Sequence, residues 1–84
     1  MAAAVVYTWD AVDSGQSVNV FIHGYGDNEA VNYCLVLGQF GPVTITQVET
    51  YKHVDNTAAR KVYIQNNTPT WSVRINLIEM TETF

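Results

Sequence analysis

Apolar and polar side chains alternate with a period of two along much of this chain, and that beat predicts strands rather than helices. The clearest stretch is Trp71–Met80, where Trp71, Val73, Ile75 and Leu77 point one way and Ser72, Arg74 and Asn76 the other. Ser17–His23 repeats it, with Val18, Val20 and Ile22 opposed to Asn19, Phe21 and His23. Ala4–Trp9 is expected to carry Val5, Tyr7 and Trp9 on one face, and Arg60–Gln65 to turn Val62 and Ile64 inward. In Val43–Tyr51 the alternation slips near Gln47, leaving Val43 and Ile45 out of phase with Val48, the mark of a bulge.

Asn28–Gly38 fits two patterns. As a strand it aligns Val31, Tyr33, Leu35 and Leu37; as a helix it would be capped by Asp27 or Asn28 and end at Gly38. The strand is preferred because its neighbours are extended, and so nearly continuous an apolar run would suit a central strand covered on both faces. Ser14-Gly15, Gly41-Pro42 and "NNTPT" punctuate the segments as turns. Six or seven short strands in 84 residues predict one domain, residues 1–84, built as a small antiparallel β-sandwich of immunoglobulin or fibronectin type. The alternative is an α+β fold, should Asn28–Gly38 be helical.

Composition agrees. Twelve valines against three leucines favour strands. Burial for a chain of this mass contributes roughly 120 kcal/mol, and ordering it costs roughly 125 kcal/mol. So thin a margin favours a staple. Cys34 is the only cysteine, so no internal disulfide forms, and "NYCLVL" suggests a buried thiol. Self-association is the staple that remains.

Four basic residues, Lys52, Arg60, Lys61 and Arg74, face eight acidic ones for a formal net charge of −4. Only Arg60 and Lys61 are adjacent, too few cations to track phosphates, so neither nucleic acid nor an anionic membrane is an expected partner. No apolar run approaches the ~20 residues of a membrane-spanning helix. "MAAAVVYTWDAV" lacks a basic leader and is not read as a secretory signal. The compartment stays open.

The stretch that most suggests chemistry is "VNVFIHGYGDNE", Val18–Glu29. Its "VFIHGYG" resembles the strand-then-His-Gly stretch of α/β-hydrolases, whose backbone N–H groups help build an oxyanion hole. That resemblance implies a nucleophile elbow, Gly-x-Ser-x-Gly, which this chain lacks; "GQSVN" has no closing glycine and precedes the strand. The stretch therefore reads as a strand end and turn, with Gly24 and Gly26 free to take positive φ. Metal ligands could come from His23, Asp27 and Glu29, with His53 and Asp55 as a second group, calcium and zinc both being open. No third fixed ligand is identifiable from spacing, so no cofactor is expected and a metal-dependent hydrolase is the remotest reading. A triad of Cys34, His23 and Asp55 has nothing in the sequence to assemble it.

The sides of the strands turned from the core offer more. Asn19, Phe21, His23 and Tyr25 lie on one strand, Lys61, Tyr63 and Gln65 on another, and Arg74, Asn76, Ile78 and Met80 on the last. If these strands share a sheet, rings, amides and cations mix on one face. Such a face suits a protein contact, or stacking on sugars. The expectation is a non-enzymatic structural or interaction module that self-associates or binds a protein through Phe21, His23, Tyr25, Tyr63, Arg74 and Asn76. A carbohydrate-binding, lectin-like module is the alternative. Trp71–Met80, long and without proline or lysine, would need cover if it lay at a sheet edge, and "EMTETF" could extend it onto a neighbour.

Overall fold

The structure is a computed structural model that describes residues 2–26 and 29–83. Six strands follow one another: β1 (Ala2–Val12), β2 (Ser17–Tyr25), β3 (Glu29–Leu37), β4 (Val43–Lys52), β5 (Ala58–Asn66) and β6 (Val73–Thr83). Among the described residues there is no helix. The strands form two antiparallel three-stranded sheets, ordered β1-β6-β3 and β2-β5-β4. Asn28–Gly38 is thus extended, not helical, over Glu29–Leu37, in unbroken register with β6 from Glu29–Thr83 to Leu37–Ile75. Asp27 and Asn28, the caps a helix there would have used, lie outside the described residues.

The sheets pack their apolar faces together. Val62 and Ile64 from β5 meet Val73, Ile75 and Leu77 from β6, all buried, with Val12 closing one end. Half-buried residues of the flanking strands, among them Val18, Val20, Leu35, Leu37, Val43 and Ile45, ring this cluster. The dry core belongs to β5 and β6 because each is central in its sheet, screened by a neighbour on either side.

This placement corrects one expectation and answers a conditional one. β3 is an edge strand, not a central one, and β6 is central, so it is covered along its length by β1 and β3 as far as Thr81. The tail of β6 pairs within the chain, Thr81 with both Ala2 and Val31, and Glu82 and Thr83 with Ala30 and Glu29 of β3. β3 looks apolar throughout because Cys34 and Val36 pair on the outer side of their sheet with Ile78 and Asn76, while Leu35 and Leu37 face the core. Cys34 is half-buried on that outer side, not sealed in the core.

Bulges set which side chains face where. The slip near Gln47 is a register shift between Ile45 and Gln47; the extra residue, Thr46, turns Val43, Ile45 and Val48 to one side, so that Ile45 pairs with Ile64 and Val48 with Val62. A second shift, between Val5 and Tyr7, splits the expected trio of β1. Val5 pairs with outward Ile78, whereas Tyr7 and Trp9 pair with inward Leu77 and Ile75; Val5 and Tyr7 both stay exposed, and Trp9 packs against the core.

One buried polar side chain ties the ends together. Asn66 Nδ2 donates to the carbonyls of Val12 at 2.8 Å and Trp71 at 3.2 Å, and its Oδ1 accepts from the Thr68 N–H at 2.9 Å. It therefore anchors the end of β1 and the turn leading into β6 to β5. The radius of gyration is 13.6 Å, against about 12 Å for a compact chain of this length; the sandwich is elongated, 41 × 25 × 17 Å.

Replacing Asn66 by Ala removes the side-chain partner of the Val12 carbonyl and of the Thr68 N–H in a buried site, while the Trp71 carbonyl keeps the Thr68 hydroxyl, so urea denaturation of Asn66→Ala is expected to show a loss of about 1–3 kcal/mol. Exposed Asn67→Ala serves as the control and should change stability by less than about 0.5 kcal/mol.

Candidate functional site

The outer face of β2-β5-β4 gathers rings because of one small residue. Ala59 on β5 pairs with His23 on one side and Tyr51 on the other, and all three side chains point away from the core. Its methyl group leaves room for rings from both flanking strands to close over it, and Ala59 is fully buried beneath them. Phe21, one row along, lies 5.8 Å from the Tyr51 ring and 5.8 Å from the His53 ring. His23 and His53 stack at 4.1 Å with planes 5° apart.

Two further rows continue the face. Lys61 stands between Phe21 and Glu49, and Tyr63 between Asn19 and Gln47. The Lys61 ammonium sits 5.2 Å from the centre of the Tyr63 ring, and the Tyr63 hydroxyl donates to Glu49 Oε1 at 2.6 Å. That bond, with a second from the Tyr51 hydroxyl, holds the Glu49 carboxyl below the usual glutamate range. The same carboxylate raises both tyrosine hydroxyls above theirs.

At the end of the face, the β4–β5 turn carries Asp55. Its Oδ1 accepts from the Thr57 hydroxyl at 2.6 Å and from the Thr57 N–H at 3.0 Å. Those two bonds, helped by His53, hold the Asp55 carboxyl far below the usual aspartate range. His53 Nδ1 lies 2.9 Å from Asp55 Oδ1, and His23 Nδ1 lies 3.3 Å from Oδ2. The turn closes through His53 N–H to the Thr57 carbonyl and Asn56 N–H to the His53 carbonyl, both 2.9 Å, with Asn56 at φ 65°. The Thr57 hydroxyl also accepts from the Gly24 N–H at 3.0 Å, which ties the turn to β2.

Of the residues expected to form one face, Phe21, His23 and Tyr63 do share it. Tyr25 does not. Gly24 adopts φ 101° and a register shift falls between His23 and Tyr25, so the next side chain swings inward. Tyr25 is buried, its ring under the Arg60 guanidinium at 5.3 Å. Its hydroxyl donates to Glu79 Oε2 at 2.5 Å and lies 2.9 Å from the Tyr33 hydroxyl. Burial first, then the Glu79 bond, drives its pKa far above the usual tyrosine range, and burial likewise raises Tyr33. The "HGYG" stretch is thus a strand end with a glycine bulge, the structural reading of the motif.

Arg74 and Asn76 belong to β6 and so face outward on the other sheet, across the sandwich from Phe21. Asn76 is committed there, accepting from Thr8 Oγ1 at 2.8 Å and donating to the Val36 carbonyl at 3.2 Å. Cys34 also lies on that sheet, so it does not meet His23 and Asp55. Of the expected metal ligands, His23, His53 and Asp55 come together. Glu29 instead accepts from the Gly26 N–H at 2.7 Å, and Asp27 lies outside the described residues. Tyr51 and Glu49 were missed as members of the face. The slip near Gln47 was the available signal, since a bulge there turns both outward.

Around the edge of the turn, Thr50, Lys52, Asn56, Thr57 and Arg60 line an open groove of about 450 Å³ with Gly26 opposite. It lies along β4 and β5, where Thr50 pairs with Arg60, and Tyr51 in its lining joins it to the border of the ring-bearing face.

Because the Glu49 carboxyl titrates lower in the fold than in the unfolded chain, its stabilisation is full above the ordinary value of 4.5 and fades as pH falls through the lower folded value. The stability difference between wild type and Glu49→Gln should therefore be constant above that value and shrink on acidification, read by urea denaturation across pH. Gly24→Ala forces a side chain into a conformation L residues rarely adopt, and a loss of about 1–3 kcal/mol is expected by the same method.

Comparison with protein families, curated proteins and solved structures found no match, so the chemistry of this face is read from its own geometry.

Proposed function

We propose that the chain is a non-enzymatic structural or interaction module that associates with copies of itself, or with a protein partner, through the outer face of β2-β5-β4. One observation carries this reading: the row of Phe21, Tyr51, His53 and His23 that closes over Ala59. Phe21 and Tyr51 keep 44% and 40% of their surface exposed although they pack on each other. Rings held rigid by their neighbours lose little freedom when a partner covers them, which is why tyrosine and other aromatics concentrate at protein contacts. Lys61 and Glu49 beside them supply charge of both signs, the rim such a contact uses. The thin margin of stability of a small sandwich adds a reason for copies of the same chain to be the partner.

An immunoglobulin-like relationship is part of this proposal and rests on strand order. The order β2-β5-β4 matches strands B, E and D of that sandwich, and β6 beside β3 matches F beside C. β1 stands next to β6, where the immunoglobulin fold places its last strand. Sugar binding is the second reading, favoured by the amides of Asn19 and Gln47 on either side of Tyr63.

The test is solution mass. Sedimentation or light scattering across concentration should show the wild type growing beyond a monomer, and Phe21→Ser/Tyr51→Ser should shift that growth to at least about tenfold higher concentration with an unchanged circular dichroism spectrum. A wild type that stays monomeric and captures no protein partner overturns the reading. A glycan-array signal competed by free sugar would establish the second one instead.

A further inference from the structure

We propose that His23, His53 and Asp55 bind one divalent transition ion of zinc's class, with the remaining coordination position open to water. The three side chains come from separate places, the outer side of β2, the end of β4 and the β4–β5 turn, yet their donor atoms all lie within 4.8 Å of one another. Zinc accepts imidazole nitrogen at about 2.0–2.1 Å and carboxylate oxygen at about 2.0–2.2 Å. Donors on one ion then stand about 3.3 Å apart, close to the 2.9 Å and 3.3 Å that already separate the two Nδ1 atoms from the Asp55 oxygens. The rings lie stacked and parallel at 4.1 Å, so binding an ion requires both to rotate out of the stack until their Nδ1 lone pairs converge; the side chains of His23 and His53, 49% and 26% exposed, have solvent on one side to turn into.

The donor set selects the ion. Two imidazoles and one carboxylate suit zinc and its borderline neighbours, while calcium and magnesium require mostly oxygen. Three protein ligands and an open position match the donor count of an open zinc site rather than a closed structural one.

What lifts the cluster above a chance meeting of polar groups is the shell behind it. Thr57 holds Asp55 Oδ1 through both its hydroxyl and its N–H, fixing the carboxylate toward the histidines. The Gly24 N–H in turn donates to the Thr57 hydroxyl, so β2, which carries His23, is latched to the turn that carries Asp55. Outer partners of this kind orient ligands and govern affinity. The site does not depend on self-association; it needs only one chain.

The experiment uses tag-free protein and zinc chloride, read by isothermal titration calorimetry, with magnesium and calcium as controls. One zinc per chain is expected, with no response to the controls. His23→Ala, His53→Ala and Asp55→Asn should each weaken binding by at least tenfold, and Thr57→Val, which removes only the outer hydroxyl, by about tenfold. To keep the test independent of the turn variants' folding, the wild type is also followed by NMR during the titration, where Nδ1 of both histidines should shift together. Absence of zinc binding, affinity unchanged in His23→Ala and His53→Ala, or a titration that moves neither ring overturns the site. A monomer that binds zinc supports it while removing the self-association reading; an oligomer that ignores zinc does the reverse.

Discussion

Everything in this sandwich hangs on the two central strands pressing together. In a three-stranded sheet only the middle strand has neighbours on both sides, so its inward side chains are the best screened from water; Val12, at the end of edge strand β1, is the one flanking-strand residue of the buried cluster. β5 and β6 hold those positions, and Val62, Ile64, Val73, Ile75 and Leu77 are the residues that go dry. Each such side chain contributes roughly 1.5–3 kcal/mol on burial. The flanking strands add half-buried residues and supply backbone partners, so their placement follows from pairing with the centre.

With the core so narrow, small departures from regular pairing decide what the surface carries. Thr46 as an extra residue in β4 turns Glu49 and Tyr51 outward. The glycine at position 24 sends Tyr25 the opposite way, into a polar cluster with Tyr33, Glu79 and Arg60 between the sheets. The result is a sandwich with two unlike outer faces. One combines rings, amides and charges around Ala59; the other exposes Val5 and Val36 beside half-buried Cys34, Ile78 and Met80. The histidine–aspartate cluster sits where the first face meets a turn that its own hydrogen bonds keep closed.

The limits of reading the chain by pattern show in particular residues. Phe21, His23 and Tyr63 were legible as outward because their strands alternate cleanly. Tyr25 was not, since one glycine with positive φ reverses the parity of every residue beyond it and alternation cannot register that. Arg74 and Asn76 were correctly assigned to the outside of their strand and yet do not join Phe21, because parity fixes a side without naming the sheet. Asp55 could be seen near His53 in sequence, whereas its approach to His23 spans the hairpin and depends on the pairing of β2 with β5.

The amino-acid sequence by itself determined six extended segments, their inward residues on β2, β5 and β6, and the slip in β4, because each of these is a local consequence of side-chain alternation. Only the tertiary structure decided which strand became central, which sheet each joined, and that two histidines and an aspartate would share one corner. Those outcomes are settled by competition among whole strands for burial, a comparison that no single segment contains.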